Sequence, residues 1–284
     1  MALGLYPGST ADQARAWVDE IASLGAGHVS LVVSWEQADV TSTAIAPGQA
    51  AVADDLVRAA AARAAERGLR VVVFPLLALR RIETGEWRGT LRPADPAAWW
   101  RAYEQFILHY ADLAAQVGAA GLVIGSELGS TEGWRERWFH LAGQVEQRFH
   151  GDLIYSANWD HYDKVSFAAR VDVLGISAYY PLADLPRARA ALTRFARDRR
   201  LRLWLTEVGY PSRAGAADRP WDYTSSAARD DAEQQRCYRR FIDVWDDTPA
   251  LEGVFFWNWY PDGERGYTPR GKPAEALLRQ WFKS

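Results

Sequence analysis

Eight short runs rich in β-branched residues, each followed by a turn and a longer Ala-, Arg- and Leu-rich amphipathic segment, predict an α/β fold, a (β/α)8 barrel built as a single domain over residues 1–284. Two further observations point the same way. No Pro/Gly/Ser-rich linker or low-complexity tract divides the chain, and no Gly-rich phosphate turn of the sort that opens a doubly wound sheet follows an early strand.

The runs are ALGLY (2–6), HVSLVV (28–33), LRVVVF (69–74), GLVIG (121–125), DLIYSA (152–157), VDVLGIS (171–177), LRLWLT (201–206) and LEGVFFW (251–257). Helices are expected between them near 10–24, 50–67, 95–117, 133–149, 161–169, 184–199, 226–246 and 273–282. Thr10 stands where a side-chain oxygen caps a first turn, and Gly25, Gly68 and Gly118 stand where a helix ends in the left-handed conformation that glycine adopts without penalty.

Composition narrows the function classes. With 33 Lys and Arg against 36 Asp and Glu the formal charge is −3, which offers no general electrostatic grip on nucleic acid. The basic run RARAALTRFARDRRLR (187–202) is read as the solvated face of an outer helix. No uninterrupted apolar stretch approaches the roughly 18 residues of a membrane span, so no membrane insertion is expected. The start, MALGLYPGST, has neither a basic nor a long apolar segment, so no secretory leader is expected here, and the compartment stays open between cytoplasmic and secreted after leader removal. A lone cysteine, Cys237, excludes an intrachain disulfide and a thiolate zinc cluster.

Barrel enzymes carry their chemistry on the loops after the strands, so the residues at those eight ends are the candidates. They include Tyr6, Trp35, Glu36, Ser126, Glu127, Asn158, Trp159, Tyr179, Glu207, Trp257 and Asn258. Most of the 14 tryptophans are expected to fill core volume, but Trp87, Trp159, Trp257 and Trp259 lie at or beyond strand ends, where a flat ring with an N–H handle can stack on a ligand. Glu127 and Glu207 follow directly on the fourth and seventh apolar runs and are expected to face each other across the barrel mouth. Two carboxyls about 5 to 5.5 Å apart suit a retaining glycosidase, whereas the plainer reading of each is a buried ion-pair partner or a helix cap. Asp160, His161 and Asp163 match no established metal-ligand spacing and read as a solvated loop. No HExxH or G-x-S-x-G pattern occurs, so neither a zinc protease nor a serine hydrolase is indicated.

Taken together, HVSLVVSWEQADVTST, EWRGTLRP, WWRAYEQFILHYADLAAQVGAAGLVIGSELGS, GDLIYSANWD, VDVLGISAYYPL, LWLTEVGYPS and GVFFWNWYPDGERGYTPRGKPAEALL resemble glycoside hydrolase family 113, in order and over nearly the whole chain. That family belongs to the retaining (β/α)8 clan and is known mainly for β-1,4-mannanases. The resemblance implies Glu127 in GSEL as acid/base, Glu207 in TEVGY as nucleophile, Tyr179 as the tyrosine that steadies the nucleophile, and Trp257 as the aromatic floor under the sugar at the cleaved bond. Trp35, Trp87, Ser126, Asn158, Trp159 and Asn258 complete the expected substrate-binding set. Two residues depart from the pattern. Ser126 stands where much of the clan has Asn before the acid/base, and Leu76 stands where relatives carry a polar residue, often His. The expected activity is hydrolysis of a β-linked oligo- or polysaccharide, mannan first, with no metal or organic cofactor. The alternatives are another β-glycan, such as a bacterial exopolysaccharide, and a carbohydrate-binding barrel without turnover.

Overall fold

The computed structural model describes residues 1–283; Ser284, the last residue of the expected domain, lies outside them. Its strands are β1 (Ala2–Gly4), β2 (His28–Gln37), β3 (Ile45–Ala46), β4 (Arg70–Leu79), β5 (Gly121–Ser126), β6 (Asp152–Asn158), β7 (Val173–Ser177), β8 (Arg202–Val208) and β9 (Leu251–Phe256). Its helices are α1 (Ala11–Leu24), α2 (Asp54–Glu66), α3 (Pro96–Gln116), α4 (Arg135–Glu146), α5 (Leu185–Arg199), α6 (Asp231–Trp245) and α7 (Pro273–Trp281). Eight strands run parallel in the order β1, β2, β4, β5, β6, β7, β8, β9, and the short β3 pairs antiparallel with the end of β2. Between β9 and β1 the Trp259 N–H donates to the Ala2 carbonyl at 2.8 Å, which ties the seam of a nearly closed (β/α)8 barrel.

Alternation along the strands divides two apolar layers. Val32, Val72, Phe74, Val123, Ile154, Val173 and Phe255 fill the barrel interior. Their neighbours Leu31, Val33, Val73, Leu122 and Leu153 join a larger core under the helices. The helices start where side chains satisfy free N–H groups: Thr10 accepts from Gln13 N in a reciprocal capping box, Asp95 from Ala97 N and Ala98 N, and Asp230 from Glu233 N.

One expected helix does not form. Over 161–169 the chain makes two single 3-10 turns, Tyr162–Lys164 and Ala168–Arg170. The intervening Val165 is extended, and Ser166 turns both its N–H and its hydroxyl to the Glu132 carbonyl, at 3.3 and 2.5 Å. Two strands run well past their expected ends. β2 and β4 stay paired to Gln37 and Leu79, and β4 accommodates Pro75 because its ladder with β5 covers only Val72 and Val73.

Candidate active site

A cleft of about 770 Å³ opens at the carboxyl ends of the strands, and both Glu127 and Glu207 line it. Each glutamate follows an irregularity in its strand. In β8 the register against β7 shifts between Ile176 and Ser177, and against β9 between Leu205 and Val208. In a regular strand Thr206 and Glu207 would point to opposite faces; here the Thr206 hydroxyl meets Ser156 at 2.7 Å and the Glu207 carboxyl meets Ser177 and Tyr179, which places both on the inner side. In β5 the register against β6 shifts between Val123 and Gly125, and Glu127 then takes φ 55°, a left-handed conformation uncommon for a residue with a Cβ.

Glu207 is 4 % exposed and accepts from Tyr179 Oη at 3.0 Å and, at a longer 3.4 Å, from Ser177 Oγ. Burial, followed by the charge of Glu127, pushes its carboxyl up to about 8, while Arg88, Tyr179 and Ser177 pull in the opposite direction. Arg88 Nε lies 3.4 Å from Glu127 Oε2. The turn that carries it is shaped by its neighbours: a Cβ at Gly89 would fall 2.3 Å from the Trp87 ring, so only glycine lets that ring fold over the turn. Gly209 has a comparable part in TEVGY, because a Cβ there would meet Tyr267 at 2.8 Å and the Trp257 carbonyl at 3.0 Å. Beneath the site, Ser156 Oγ lies 3.2 Å from Ser177 Oγ and 2.7 Å from Thr206 Oγ1, a buried hydroxyl floor.

Of the expected substrate-binding residues, the cleft brings together Trp87, Asn158, Trp159, Tyr179 and Trp257. Trp35 does not line it. With β2 extended to Gln37, Trp35 falls on the outer face and packs against Phe106 and His109 of α3, ring centroids 5.4 and 5.2 Å away. Ser126 and Asn258 also fail to line the cleft; both are buried, and neither Ser126 Oγ nor Asn258 Oδ1 has a hydrogen-bond partner among the described residues. Trp259 is likewise a core residue, its indole N–H donating to Glu20 at 2.8 Å. Glu36, another strand-end carboxylate, accepts from Ala50 N at 2.5 Å and holds the loop after β3. Leu76 does line the cleft.

The cleft also contains residues outside the expected set: Tyr6, Arg88, Asp160, Trp221, Tyr223 and Tyr267. Trp159 and Trp221 stack at 5.6 Å and 27°, and Trp221 and Tyr223 are 41 % and 66 % exposed, which leaves an open aromatic rim. The loop 160–163, expected to be solvated, is partly engaged: Asp160 accepts from Asn158 Nδ2 at 2.7 Å, and His161 Nδ1 lies 3.1 Å from the buried Glu132. Arg88 sits inside EWRGTLRP, where an arginine between a tryptophan and a glycine in the loop after β4 is the one local signal for it. Tyr267 and Trp221 come from loops remote in sequence, where no local pattern marks them.

Among the described residues no group of three or more His, Cys, Asp or Glu could hold a metal ion, and no helix is long and apolar enough to cross a membrane.

Comparison with known proteins matches residues 6–270 to the model of Glycoside Hydrolase Family 113. The structure of the GH113 β-mannanase AaManA from Alicyclobacillus acidocaldarius, solved in complex with ManMIm, superposes with a TM-score of 0.92 at 28 % identity, covering 100 % of this chain and 96 % of that one. A second GH113 β-1,4-mannanase superposes with a TM-score of 0.92 at 22 % identity, covering 100 % and 98 %. Fungal β-1,4-galactanases share the fold more loosely, with a TM-score of 0.62 at 18 % identity over 92 % and 89 % of the two chains. No curated protein sequence matches significantly.

Proposed function

The chain belongs to glycoside hydrolase family 113, and from that premise we propose that this glycoside hydrolase cleaves β-1,4-mannan or manno-oligosaccharides by a retaining double displacement. The observation that carries the reading is the pair Glu127 and Glu207 at the foot of a sugar-sized cleft, with Glu207 pushed up first by burial and then by the neighbouring Glu127. Hydrogen-bond donors favour the ionised form of the carboxyl they touch. Tyr179 and Ser177 donate to Glu207, whereas Glu127 accepts no side-chain hydrogen bond among the described residues. In this reading Glu207 is the group held for attack, and Glu127, 3.4 Å from Arg88, is the group that delivers and takes up the proton.

An ionised Glu207 attacks the anomeric carbon while Glu127 protonates the departing glycosidic oxygen; Glu127 then takes a proton from the water that releases the glycosyl-enzyme. Tyr179 holds the attacking carboxylate, and the Trp257 ring offers a flat apolar face to the sugar's C–H surface. Substrate choice rests on the family and on the β-mannanase that is 28 % identical. A second reading, another β-glycan, is favoured by Leu76, whose apolar side chain lines the cleft and offers no hydroxyl a partner.

The test is Glu127→Ala and Glu207→Ala assayed on mannan and on a panel of β-glycans. Both variants should lose hydrolysis. Azide should rescue the Glu207 variant to a glycosyl azide of inverted configuration and the Glu127 variant to one of retained configuration. Wild-type turnover in either variant removes that residue from the mechanism, activity on a non-mannose polymer alone replaces the substrate, and oligosaccharide binding without product makes the barrel a binding module.

A further inference from the structure

We propose that Tyr155 and Glu132 form a positioning relay that fixes the carboxyl of Glu127 for proton transfer, an inference that rests on the reading of Glu127 as acid/base. Glu127 is held in a left-handed conformation that its own side chain disfavours, so its neighbours must maintain it. Two peptide N–H groups anchor this stretch to β6. Glu127 N–H donates to the Ser156 carbonyl at 2.8 Å, and Leu128 N–H, in the very next peptide, donates to Tyr155 Oη at 3.2 Å. The second bond has a side-chain phenol as its acceptor, so it depends on where that phenol is held.

That phenol is in turn directed by a buried acid. Tyr155 Oη donates to Glu132 Oε1 at 2.8 Å, so its lone pairs face Leu128. Glu132 is only 1 % exposed; His161 Nδ1 lies 3.1 Å from its other oxygen, and Ser166 donates to its main-chain carbonyl. The turn between Leu128 and Glu132 closes on itself through Thr131, whose N–H and hydroxyl both donate to the Leu128 carbonyl at 2.8 and 2.9 Å, and Trp138 Nε1 caps the Thr131 carbonyl at 3.0 Å. The residue that follows Glu127 is therefore gripped at its N–H and at its C=O. A nearly fully buried carboxylate is a costly way to fill core volume, since its solvation must be replaced bond for bond. Its use here is explained by what it orients. The assembly touches no reacting atom and acts through Glu127.

The test separates positioning from packing by leaving group. Tyr155→Phe keeps the ring that packs on Trp138 and Phe167 at 5.2 and 4.8 Å but removes the relay. On manno-oligosaccharides, whose departing hydroxyl must be protonated, kcat/KM should fall by about tenfold or more; on 2,4-dinitrophenyl β-mannobioside, which leaves without a proton, it should stay within about threefold of wild type. Glu127→Ala, run alongside, should show the same split at larger amplitude. If Glu127→Ala loses both substrates equally, the acid/base reading itself fails. If Glu127→Ala splits but Tyr155→Phe loses both substrates equally, or neither, the relay is overturned. Should Tyr155→Phe fail to unfold cooperatively, Glu132→Gln, which keeps the shape and removes the charge, takes its place: a split between the two substrates supports the relay, and equal loss or no loss overturns it. If the wild-type enzyme does not hydrolyse mannosides, the comparison is made on the corresponding aryl and oligomeric β-glucosides or β-galactosides that it does hydrolyse.

Discussion

Replacing Glu207 with glutamine should stabilise the protein at alkaline pH and leave its stability in acid nearly unchanged. The carboxyl has an ordinary value of 4.5 and is raised in the folded state to about 8, first by burial and then by Glu127. The folded protein therefore holds a proton that the unfolded chain has released, and stability falls as pH rises between those two values. At about 1.4 kcal/mol per pKa unit the full shift corresponds to about 5 kcal/mol, and relaxation and water penetration around the ionised carboxylate bring the expected gain to about 2 to 4 kcal/mol. For a chain of this size that is a rise in Tm of about 5 to 10 °C at pH 9, against about 1 °C at pH 4. Calorimetric melts of wild type and Glu207→Gln at the two pH values measure it. A difference in Tm that is the same at pH 4 and pH 9 would refute the claim that an ionised, buried carboxylate is the source of the destabilisation.

Other expectations concern the surroundings of the pair. Tyr179→Phe removes a charge-assisted hydrogen bond worth about 1.5 to 3 kcal/mol, so Glu207 rises further, and the acid limb of kcat/KM should move to higher pH by about one to two units; an unmoved limb counts against a Tyr179 role. Arg88→Met removes a cation that lowers Glu207, and the same limb should again shift upward, by about one unit, with kcat/KM falling about tenfold near neutral pH. Gly125→Ala would put a Cβ 2.7 Å from Trp138 and 2.8 Å from Tyr155 and should cost about 1 to 3 kcal/mol by denaturant unfolding. Trp221→Ala should raise KM for long oligosaccharides about three- to tenfold while leaving short ones unaffected, because its exposed ring lies on the cleft rim.

Much of the barrel is legible in the sequence because parallel strands, covered on both faces, read as continuous β-branched runs; each of the eight expected runs overlaps a barrel strand. Strand ends are less legible. The run HVSLVV ends at Val33, and the four further residues of β2 move Trp35 from an end position to the outer face. The run 161–169 has helical composition but folds around a single acceptor, the Glu132 carbonyl, that lies far away in sequence. At the site, Glu127 and Glu207 stand out as carboxylates abutting apolar runs. Arg88, Trp221 and Tyr267 converge from loops whose closeness only the closed ring creates, and Ser126 and Asn258, though adjacent to lining residues, are buried and do not line the cleft.

The irregularities in β5 and β8 also bear on how such an enzyme can change. Glu207 is aimed by main-chain geometry within its stave, and Glu127 by its own left-handed backbone directly after β5, before the long connecting loops begin. The connecting segments beyond them, including the stretch that bears Trp221 and Tyr223, can be lengthened, trimmed or exchanged to suit a different polymer while the cutting groups keep their places. Deleting a single residue inside either stave would instead rotate the acid outward toward the helical shell, so drift in specificity is open to this scaffold and drift in the position of its chemistry is not.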